Sequence, residues 1–205
     1  MIASPMLDRT DKALISEEDV RNVPIGSTLR ISDRTLVTPL AADLARDRQI
    51  LFERVTGRSP DPKIAIGADH GGFEMKEALK AFLDHRGVEY IDVGTHSAEA
   101  VDYPDFAEAV ARAVSLRKCD LGIMIDGAGI GSCMVANKIP GVRAAMCYDE
   151  ASARNSREHN GANVLTLGGK MISNEQMRNI VRVWLSSHLT EERHRRRVAK
   201  IDALL

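Results

Sequence analysis

The sequence predicts an α/β protein built on a doubly wound sheet of five parallel strands. Three observations support this prediction. From residue 63 onward, apolar runs of strand length alternate with amphipathic helical segments, and the connections between them are short. One run, at residues 121–125, is continuously apolar, as expected of a strand that is buried on both faces. A mainly helical or irregular extension is expected to precede this domain.

The extension and the larger domain are separated near residues 57–62, where two prolines, a glycine and polar neighbours interrupt the periodicity. We therefore expect an N-terminal extension at residues 1–62 and a domain at residues 63–205. Within the extension, Ser16 followed by three acidic residues predicts one short helical turn. Thr38 and Pro39 are typical of an N-cap and a first helical residue, and they predict a helix over about residues 39–55.

The larger domain contains the five strands and their crossover helices. The strands are predicted at residues 63–67, 88–93, 121–125, 142–147 and 164–167. The helices are predicted at about residues 74–86, around 106–114, and at about 149–158, 174–187 and 191–203. In such a sheet, ligands bind at the carboxyl ends of the strands.

The composition excludes several classes of protein. Lys and Arg number 28 against 29 Asp and Glu, so the net charge of −1 provides no basic field for nucleic acid or an anionic membrane. No apolar stretch approaches the roughly 20 residues that span a bilayer, and residues 1–30 resemble no secretory signal. Three cysteines suit a reducing compartment. We expect a cytoplasmic protein without nucleic-acid or membrane partners.

Two glycine-containing turns follow predicted strands. The first carries Asp69 and His70 between glycines, which let a ligand approach the backbone; the structural alternative is that Asp69 caps the next helix. The second runs from Asp126 to Ser132 with glycine at alternate positions, a pattern typical of an N–H nest that binds phosphate, carboxylate or an oxyanion. It matches neither the dinucleotide fingerprint nor a Walker loop.

Two further groups of residues are chemically suggestive. His159 and Asn160 lie in the turn between the fourth domain helix and the fifth strand, which we group with the turns near the carboxyl ends of the strands; an imidazole there can serve as acid or base. Arg193 and Arg197 lie four residues apart on the last helix, in a run of four arginines. Such a run is either a solvated face or a clamp for a phosphate.

Six ordered motifs resemble one family, the type B ribose-5-phosphate isomerases and galactose-6-phosphate isomerases. The resemblance runs from about residue 63 to the C-terminus. The motifs are Ile66-Gly67-Ala68-Asp69-His70-Gly71-Gly72-Phe73, Asp102-Tyr103-Pro104, Gly127-x-Gly129-x-Gly131, Ala136-Asn137-Lys138, Arg157-Glu158-His159-Asn160 and Arg193-His194-x-x-Arg197. This resemblance implies a Rossmann-like three-layer sandwich, a phosphorylated sugar as substrate, and neither metal nor organic cofactor. It also implies homodimers whose active sites draw residues from both chains.

The resemblance assigns roles to individual residues. Asp69 and His159 would open the sugar ring, Asn160 would hold hydroxyls, and Tyr103 would line the sugar pocket. The phosphate ligands would be His70, Lys170, Arg193 and Arg197, with Lys170 replacing a more common arginine. The backbone expected to hold the enediolate oxygen belongs to Gly127, Ala128, Gly129, Ile130, Gly131 and Ser132.

The sequence departs from the family at the base that moves the carbon-bound proton. Many members have a catalytic cysteine where this chain has Asp126, with Ser or Thr two residues later, where this chain has Ala128. Others have a glutamate where it has Ser132. A carboxylate can perform this proton transfer, so Asp126 is our candidate base. Cys133 is a weaker alternative, because in a first helical turn its side chain would point away.

Two interpretations of function therefore stay open at this stage. The first is an aldose–ketose isomerase, acting on ribose 5-phosphate or on another pentose or hexose phosphate. The second is a sugar-phosphate-binding or assembly protein that has lost the chemistry, which the changes at positions 126, 128 and 132 suggest.

The extension resembles a different group of proteins. Residues 37–46 are similar to a short segment found in several enzymes of bacterial microcompartments. This resemblance implies that residues 1–62 bind shell or cargo proteins and that the chain lies inside a microcompartment. The alternative is packing within a dimer or tetramer.

Overall fold

The computed structural model describes residues 5–10, 12–32, 35–55 and 62–204. The chain forms two compact units, Met1–Pro60 and Asp61–Leu205. The predicted separating segment lies almost wholly outside the described residues, which include only Pro62 of it. Among the helices in the described ranges, none is long and apolar enough to cross a membrane.

The two helix starts predicted in the N-terminal unit are confirmed. Helix α1 (Glu17–Arg21) begins after Ser16, whose backbone N–H donates to the Asp19 carboxylate at 2.9 Å. Helix α2 (Pro39–Asp47) begins after Thr38, whose hydroxyl oxygen accepts the Ala41 N–H at 3.2 Å. Each cap satisfies a backbone group that a helix end leaves without an intrahelical partner.

The predicted length of the second helix is wrong, because α2 ends at Asp47. Gln49 adopts φ 56°, and the N–H of Ile50 reaches back to the carbonyl of Ala45 at 2.8 Å. This is a Schellman-type end with glutamine in the left-handed position that glycine usually occupies, so the sequence lacked the expected stop signal.

The N-terminal unit also contains short strands, which the expectation of a mainly helical or irregular extension did not include. Within its described residues they are β1 (Met6–Asp8), β2 (Leu14–Ile15), β3 (Thr28–Ser32), β4 (Leu36–Val37) and β5 (Leu51–Val55). They pair in parallel as β1-β3-β5 and β2-β4. In β3 the buried Leu29 and Ile31 alternate with half-buried polar neighbours, but strands of two to five residues are too short for this period to stand out.

The second unit contains the predicted five-stranded parallel sheet. Its strands are β6 (Ile64–Ala68), β7 (Tyr90–Asp92), β8 (Leu121–Asp126), β9 (Ala144–Met146) and β10 (Val164–Gly168). Their order is β7-β6-β8-β10-β9. β7 therefore lies on one side of β6, and the three later strands lie on the other side. β8 is the central strand, and all six of its residues are buried, as its continuous apolar run predicts.

Helices cover both faces of this sheet and complete the three-layer fold. They are α3 (Phe73–Arg86), α4 (Tyr103–Ser115), α5 (Ile130–Ala136), α6 (Glu150–Glu158), α7 (Asn174–Ser186) and α8 (Glu192–Asp202). Leu79 of α3 and Trp184 of α7 belong to the core that includes Ile123 and Ile125. Val110 of α4 belongs to a second core that includes Met124 and Ala136. The alternation along β8 thus contributes side chains to both cores.

A buried ion pair joins α3 to the end of β7. The side chain of Lys76 is fully buried, and its ammonium bonds to the Asp92 carboxylate, which is 13% exposed. The ammonium also lies 3.1 Å from the more exposed carboxylate of Glu77. Removing one partner of a buried pair leaves an uncompensated charge, whereas an exposed pair contributes little.

Asp92→Asn is therefore expected to lower the free energy of unfolding by about 3 kcal/mol, because it leaves the buried ammonium without its closest carboxylate. Glu77→Gln is the matched control, since it alters the exposed carboxylate on the same ammonium, and it should cost at most about 1 kcal/mol. Urea unfolding of both variants measures the difference. Equal losses would contradict the importance of the buried pair.

Candidate active site

The carboxylate of Asp126 is the most heavily hydrogen-bonded group at the carboxyl edge of the sheet. Asp126 ends β8 and is only 4% exposed. Its Oδ1 atom accepts the N–H groups of Ala128, at 2.8 Å, and Gly129. Its Oδ2 atom accepts the Ser132 N–H at 3.0 Å and the Ser132 hydroxyl. The nest that the sequence predicted is present, and the anion it holds is this side chain.

The nest is supported by side chains that the sequence analysis did not identify. The Tyr148 hydroxyl donates to the carbonyl of Ala128 at 3.0 Å, and the Thr166 hydroxyl donates to that of Gly129 at 2.9 Å. Gly129 has φ 80°, and a Cβ atom there would lie 2.9 Å from the backbone of Leu167. These contacts come from β10 and from the segment after β9, which are distant in sequence, so no local sequence signal could have revealed them.

Asp69 lies at the end of the adjacent strand β6 and is also buried. Its N–H donates to the carbonyl of Ile125 at 3.3 Å, which joins the two turns. Its Oδ1 atom accepts the Gly72 N–H at 3.0 Å, just before α3 begins. The N-cap of α3 is Gly72, without a side-chain cap, so the alternative that Asp69 caps this helix is wrong. The bond from the Gly72 N–H instead fixes the Asp69 carboxylate at this edge.

Three more predicted site residues lie at the same edge. The exposed ring of His70 contacts the backbone of Val101 through Nδ1, at 3.1–3.2 Å. The Tyr103 ring packs so closely on Gly131 that a Cβ atom there would lie 2.6 Å from it. Lys170 is exposed and donates its backbone N–H to the carbonyl of Gly127 at 3.1 Å. The structure thus brings these three residues together with Asp69 and Asp126.

His159 and Asn160 lie at the opposite edge of the sheet. Asn163, which follows in the same turn, accepts the Gly122 N–H at 2.9 Å, beside the start of β8. The interpretation of this turn as lying near the carboxyl ends of the strands is therefore wrong: it follows a helix and precedes β10, so it belongs to the amino ends. The five residues of β10 span about 13 Å between the two edges.

His159 is joined there by the last helix. Its ring stacks on that of His194, with centroids 4.2 Å apart and planes 13° apart. Its Nδ1 atom lies 3.2 Å from the side-chain amide of Asn155, to which Asn160 is also bonded, at 3.5 Å. Burial lowers the pKa of His194, and the neighbouring His159 and Arg193 lower it further. His194 is therefore a neutral ring behind the exposed His159.

The two arginines predicted as a clamp are exposed on α8, on the same helix as His194. The Arg193 guanidinium contacts the Glu191 carboxylate at 2.6 Å. Within α8 the buried side chains are those of His194 and Val198, whereas Ile201 is 45% exposed. The accessible groups at the amino edge therefore include His159, Arg193 and Arg197.

Arg157 has a positioning role that the sequence analysis did not identify. Its guanidinium lies over the Trp184 ring at 4.9 Å and donates to the carbonyls of Ala162, at 2.6 Å, and Ser187, at 3.2 Å. Burial, followed by repulsion from Arg143, lowers the pKa of Arg157 to about 10, so it remains charged at neutral pH. It fixes the turn that carries His159.

The described residues include no cluster of three or more His, Cys, Asp or Glu arranged to hold a metal ion. The chemistry present at the carboxyl edge is instead that of buried carboxylates, backbone N–H donors and exposed cationic or aromatic groups. In an open parallel sheet, this is the place where a small polar ligand binds.

Fold and site together define an α/β protein with buried carboxylates at the carboxyl ends of its parallel strands. The family model described as Ribose/Galactose Isomerase matches residues 64–201. The chain therefore belongs to the ribose/galactose isomerase family, and it is an isomerase.

Individual relatives agree with this assignment. The chain is 45% identical over 142 residues to ribose-5-phosphate isomerase B of Escherichia coli, covering 69% of this chain and 95% of the relative. It is 40% identical over 141 residues to galactose-6-phosphate isomerase subunit LacA of Streptococcus equi, covering 69% and 98%. The structure of Clostridium thermocellum ribose-5-phosphate isomerase B matches with a TM-score of 0.68 and 48% identity, covering 69% and 96%. The family match begins at residue 64, after the N-terminal unit.

Proposed function

We propose that this chain is a sugar-phosphate aldose–ketose isomerase and that it interconverts ribose 5-phosphate and ribulose 5-phosphate. The observation that carries the proposal is the buried Asp126 carboxylate at the end of the central strand, where the resemblance expects the catalytic base. The similarity to proteins named ribose-5-phosphate isomerase B supports the choice of substrate.

In this proposal Asp126 moves the carbon-bound proton. The carboxylate takes the proton from C2 of the open-chain aldose, the C–H electron pair forms the C1–C2 double bond, and the carbonyl oxygen becomes the enediolate oxygen. The proton of the C2 hydroxyl then passes to the C1 oxygen, the C2 oxygen becomes the ketone, and the carboxylic acid returns its proton to C1. Proton transfer of this kind by a positioned carboxylate is well suited to the reaction.

The turn after β8 must serve both the base and the substrate. Three of its six N–H groups donate to Asp126. We assign the enediolate oxygen to the others, close to the Tyr103 ring that we place against the sugar. The remaining N–H groups belong to Gly127, Ile130 and Gly131.

Ring opening requires a second copy of the chain. Asp69 lies at the carboxyl edge and His159 at the amino edge, so one chain cannot bring both to one sugar. We propose a homodimer in which the amino edge of each copy completes the carboxyl edge of the other. Ile130 and Met134 support this, because they lie one helical turn apart on α5, beside the nest, and are 46% and 64% exposed.

The phosphate would then be bound by residues of both copies. His70 and Lys170 come from the carboxyl edge of one copy, and Arg193 and Arg197 from α8 of the other. Arginine forks bind phosphate oxygens in pairs, whereas Lys170 provides a point charge. Asn160 of the second copy would bind sugar hydroxyls.

A second candidate function is isomerisation of a hexose phosphate. The similarity to a galactose-6-phosphate isomerase subunit favours it, as does Ala128 in place of a larger residue of the nest. The third, a phosphosugar-binding protein without chemistry, is suggested by the four donors that already occupy Asp126.

The purified chain is expected to interconvert ribose 5-phosphate and ribulose 5-phosphate in buffer without added metal. In deuterated water the C2 proton should exchange, and Asp126→Asn should abolish exchange without altering the circular dichroism spectrum, since the amide cannot accept the proton. Proton NMR of a panel of pentose and hexose phosphates measures both effects. Saturable binding without exchange of any substrate would overturn the proposal, as would full activity of Asp126→Asn.

Shared sites predict that two inactive variants complement one another. A mixed dimer of Asp126→Asn and His159→Ala contains one site with both native residues, so the purified mixed dimer should show about half of native activity. The two chains carry different affinity tags, are co-expressed and are assayed after tandem purification. Asp126→Asn mixed with Asp69→Asn is the matched control, because both changes lie at the same edge. Restored activity in that control, or none in the first pair, would refute the arrangement.

We further propose that the N-terminal unit binds a shell or cargo protein of a bacterial microcompartment. Leu14 and Leu36, which pair across β2 and β4, and Leu40 nearby on α2 are 50%, 70% and 59% exposed. Exposed aliphatic side chains of neighbouring elements provide an apolar surface for a partner.

The full chain fused to a fluorescent protein is accordingly expected to form foci in cells that make such shells. Leu36→Asp should disperse them, because a charge would have to be buried against the partner. Leu116→Asp, which alters a 62% exposed leucine outside this unit, should leave them intact. Fluorescence microscopy scores both variants, and diffuse signal from the native fusion would contradict the idea.

A further inference from the structure

The hydroxyl of Ser132 holds the carboxylate of Asp126 in a way that the family resemblance does not explain. Ser132 is fully buried in the first turn of α5, and both its N–H and its hydroxyl donate to Oδ2 of Asp126. The sequence analysis assigned Ser132 only as part of the backbone that binds substrate. The structure shows its side chain directed at the proposed base.

The four donors fill the hydrogen-bonding capacity of the carboxylate. An ionised carboxylate offers about four lone-pair positions on its two oxygens. Here Oδ1 accepts two backbone N–H groups, and Oδ2 accepts one N–H group and one hydroxyl. A base must offer a free lone pair to the proton it removes, so one of these bonds has to open.

The hydroxyl is the donor that can leave most easily. The three N–H groups belong to the turn and to the start of α5, where backbone geometry fixes their direction. The Ser132 O–H can turn about its Cβ–Oγ bond without moving the backbone. Cys133, the alternative base, faces elsewhere, because its sulfur lies 3.5 Å from the carbonyl of Ala144.

We infer that Ser132 is the positioning residue of Asp126. In the resting enzyme its hydroxyl holds the carboxylate in its orientation, and during turnover it turns away to free Oδ2 for the proton from C2. The serine keeps its own proton throughout, so the proton that leaves carbon resides on Asp126. This inference rests on the proposed function, in which Asp126 is the base.

Other ionisable groups at this edge do not depend on the serine hydroxyl. Asp69 lies on the neighbouring turn after β6, and Lys170 lies on the turn after β10. The Tyr103 ring contacts Gly131, and the Tyr148 hydroxyl bonds to the carbonyl of Ala128. Removal of the Ser132 hydroxyl alters none of their hydrogen bonds, so a comparison of variants isolates its effect on Asp126.

The test combines activity with direct titration of the carboxyl group. Loss of a donor to an ionised carboxylate disfavours the charged form. In Ser132→Ala the acid limb of kcat should therefore move to higher pH by about one pH unit. In protein labelled with carbon-13 aspartate, the carboxyl signal of Asp126 is the one that is missing from Asp126→Asn. In Ser132→Ala the titration midpoint of this signal should rise by the same amount. Ser132→Thr, which keeps the hydroxyl, should restore both values.

Two further variants make the result decisive. Ser132→Cys replaces the hydroxyl by a weak donor of similar shape and should reproduce the upward movement even if the alanine variant folds poorly. Ser156→Ala removes a buried helical hydroxyl far along the chain, which donates to the carbonyl of Ala153, and should move neither value. An unchanged Asp126 midpoint in both Ser132→Ala and Ser132→Cys would overturn the inference, as would an equal change in Ser156→Ala.

The two readouts separate failure of this inference from failure of the proposed function. Suppose that the native chain shows no isomerase activity but the titration midpoint of Asp126 still rises in Ser132→Ala. That result would overturn the proposed function and, with it, the role of Ser132 in turnover. An active enzyme whose midpoint does not move would remove the inference alone.

Discussion

The carboxyl edge of the sheet is organised by one interaction, that of the Asp126 carboxylate with the backbone that follows it. β8 is buried along its whole length, so the carboxylate at its carboxyl end is buried as well. Burying a charge is costly unless it is hydrogen-bonded, and the turn meets that cost with three N–H groups and the Ser132 hydroxyl. The left-handed Gly129 and the start of α5 both lie within this turn.

In the proposed function the base of this chain is a carboxylate, whereas the family resemblance implies a thiol at this position in many members. Asp126 occupies three of the six N–H groups of the turn, so only the other three would remain for the substrate. The hydrogen bonds orient the carboxylate, but they also occupy the lone pairs that a base must offer to a proton. In our inference, the Ser132 hydroxyl turns away during turnover and frees one lone pair of the carboxylate. This role accounts for a serine at this position.

The larger domain was predictable because its strands and helices are long enough to show their periods and because its motifs are specific. The N-terminal unit was not, since its strands are short and Gln49 ends α2 without the usual glycine. At the site, the residues following β6 and β8 were placed correctly by the rule for parallel sheets. His159 was misplaced because its turn leads into a strand, and Ser132, Tyr148 and Arg157 were missed because only tertiary contacts reveal their roles.

The buried Lys76 has a consequence for the chemical reactivity of the protein. An amine enclosed between α3 and β7, and bonded to Asp92, is hidden from acylating reagents as long as the helix stays on the sheet. Acylation of Lys76 therefore requires α3 and β7 to separate transiently. The rate at which the lysine is acylated would count those rare openings in the native protein, well below the temperature at which it melts.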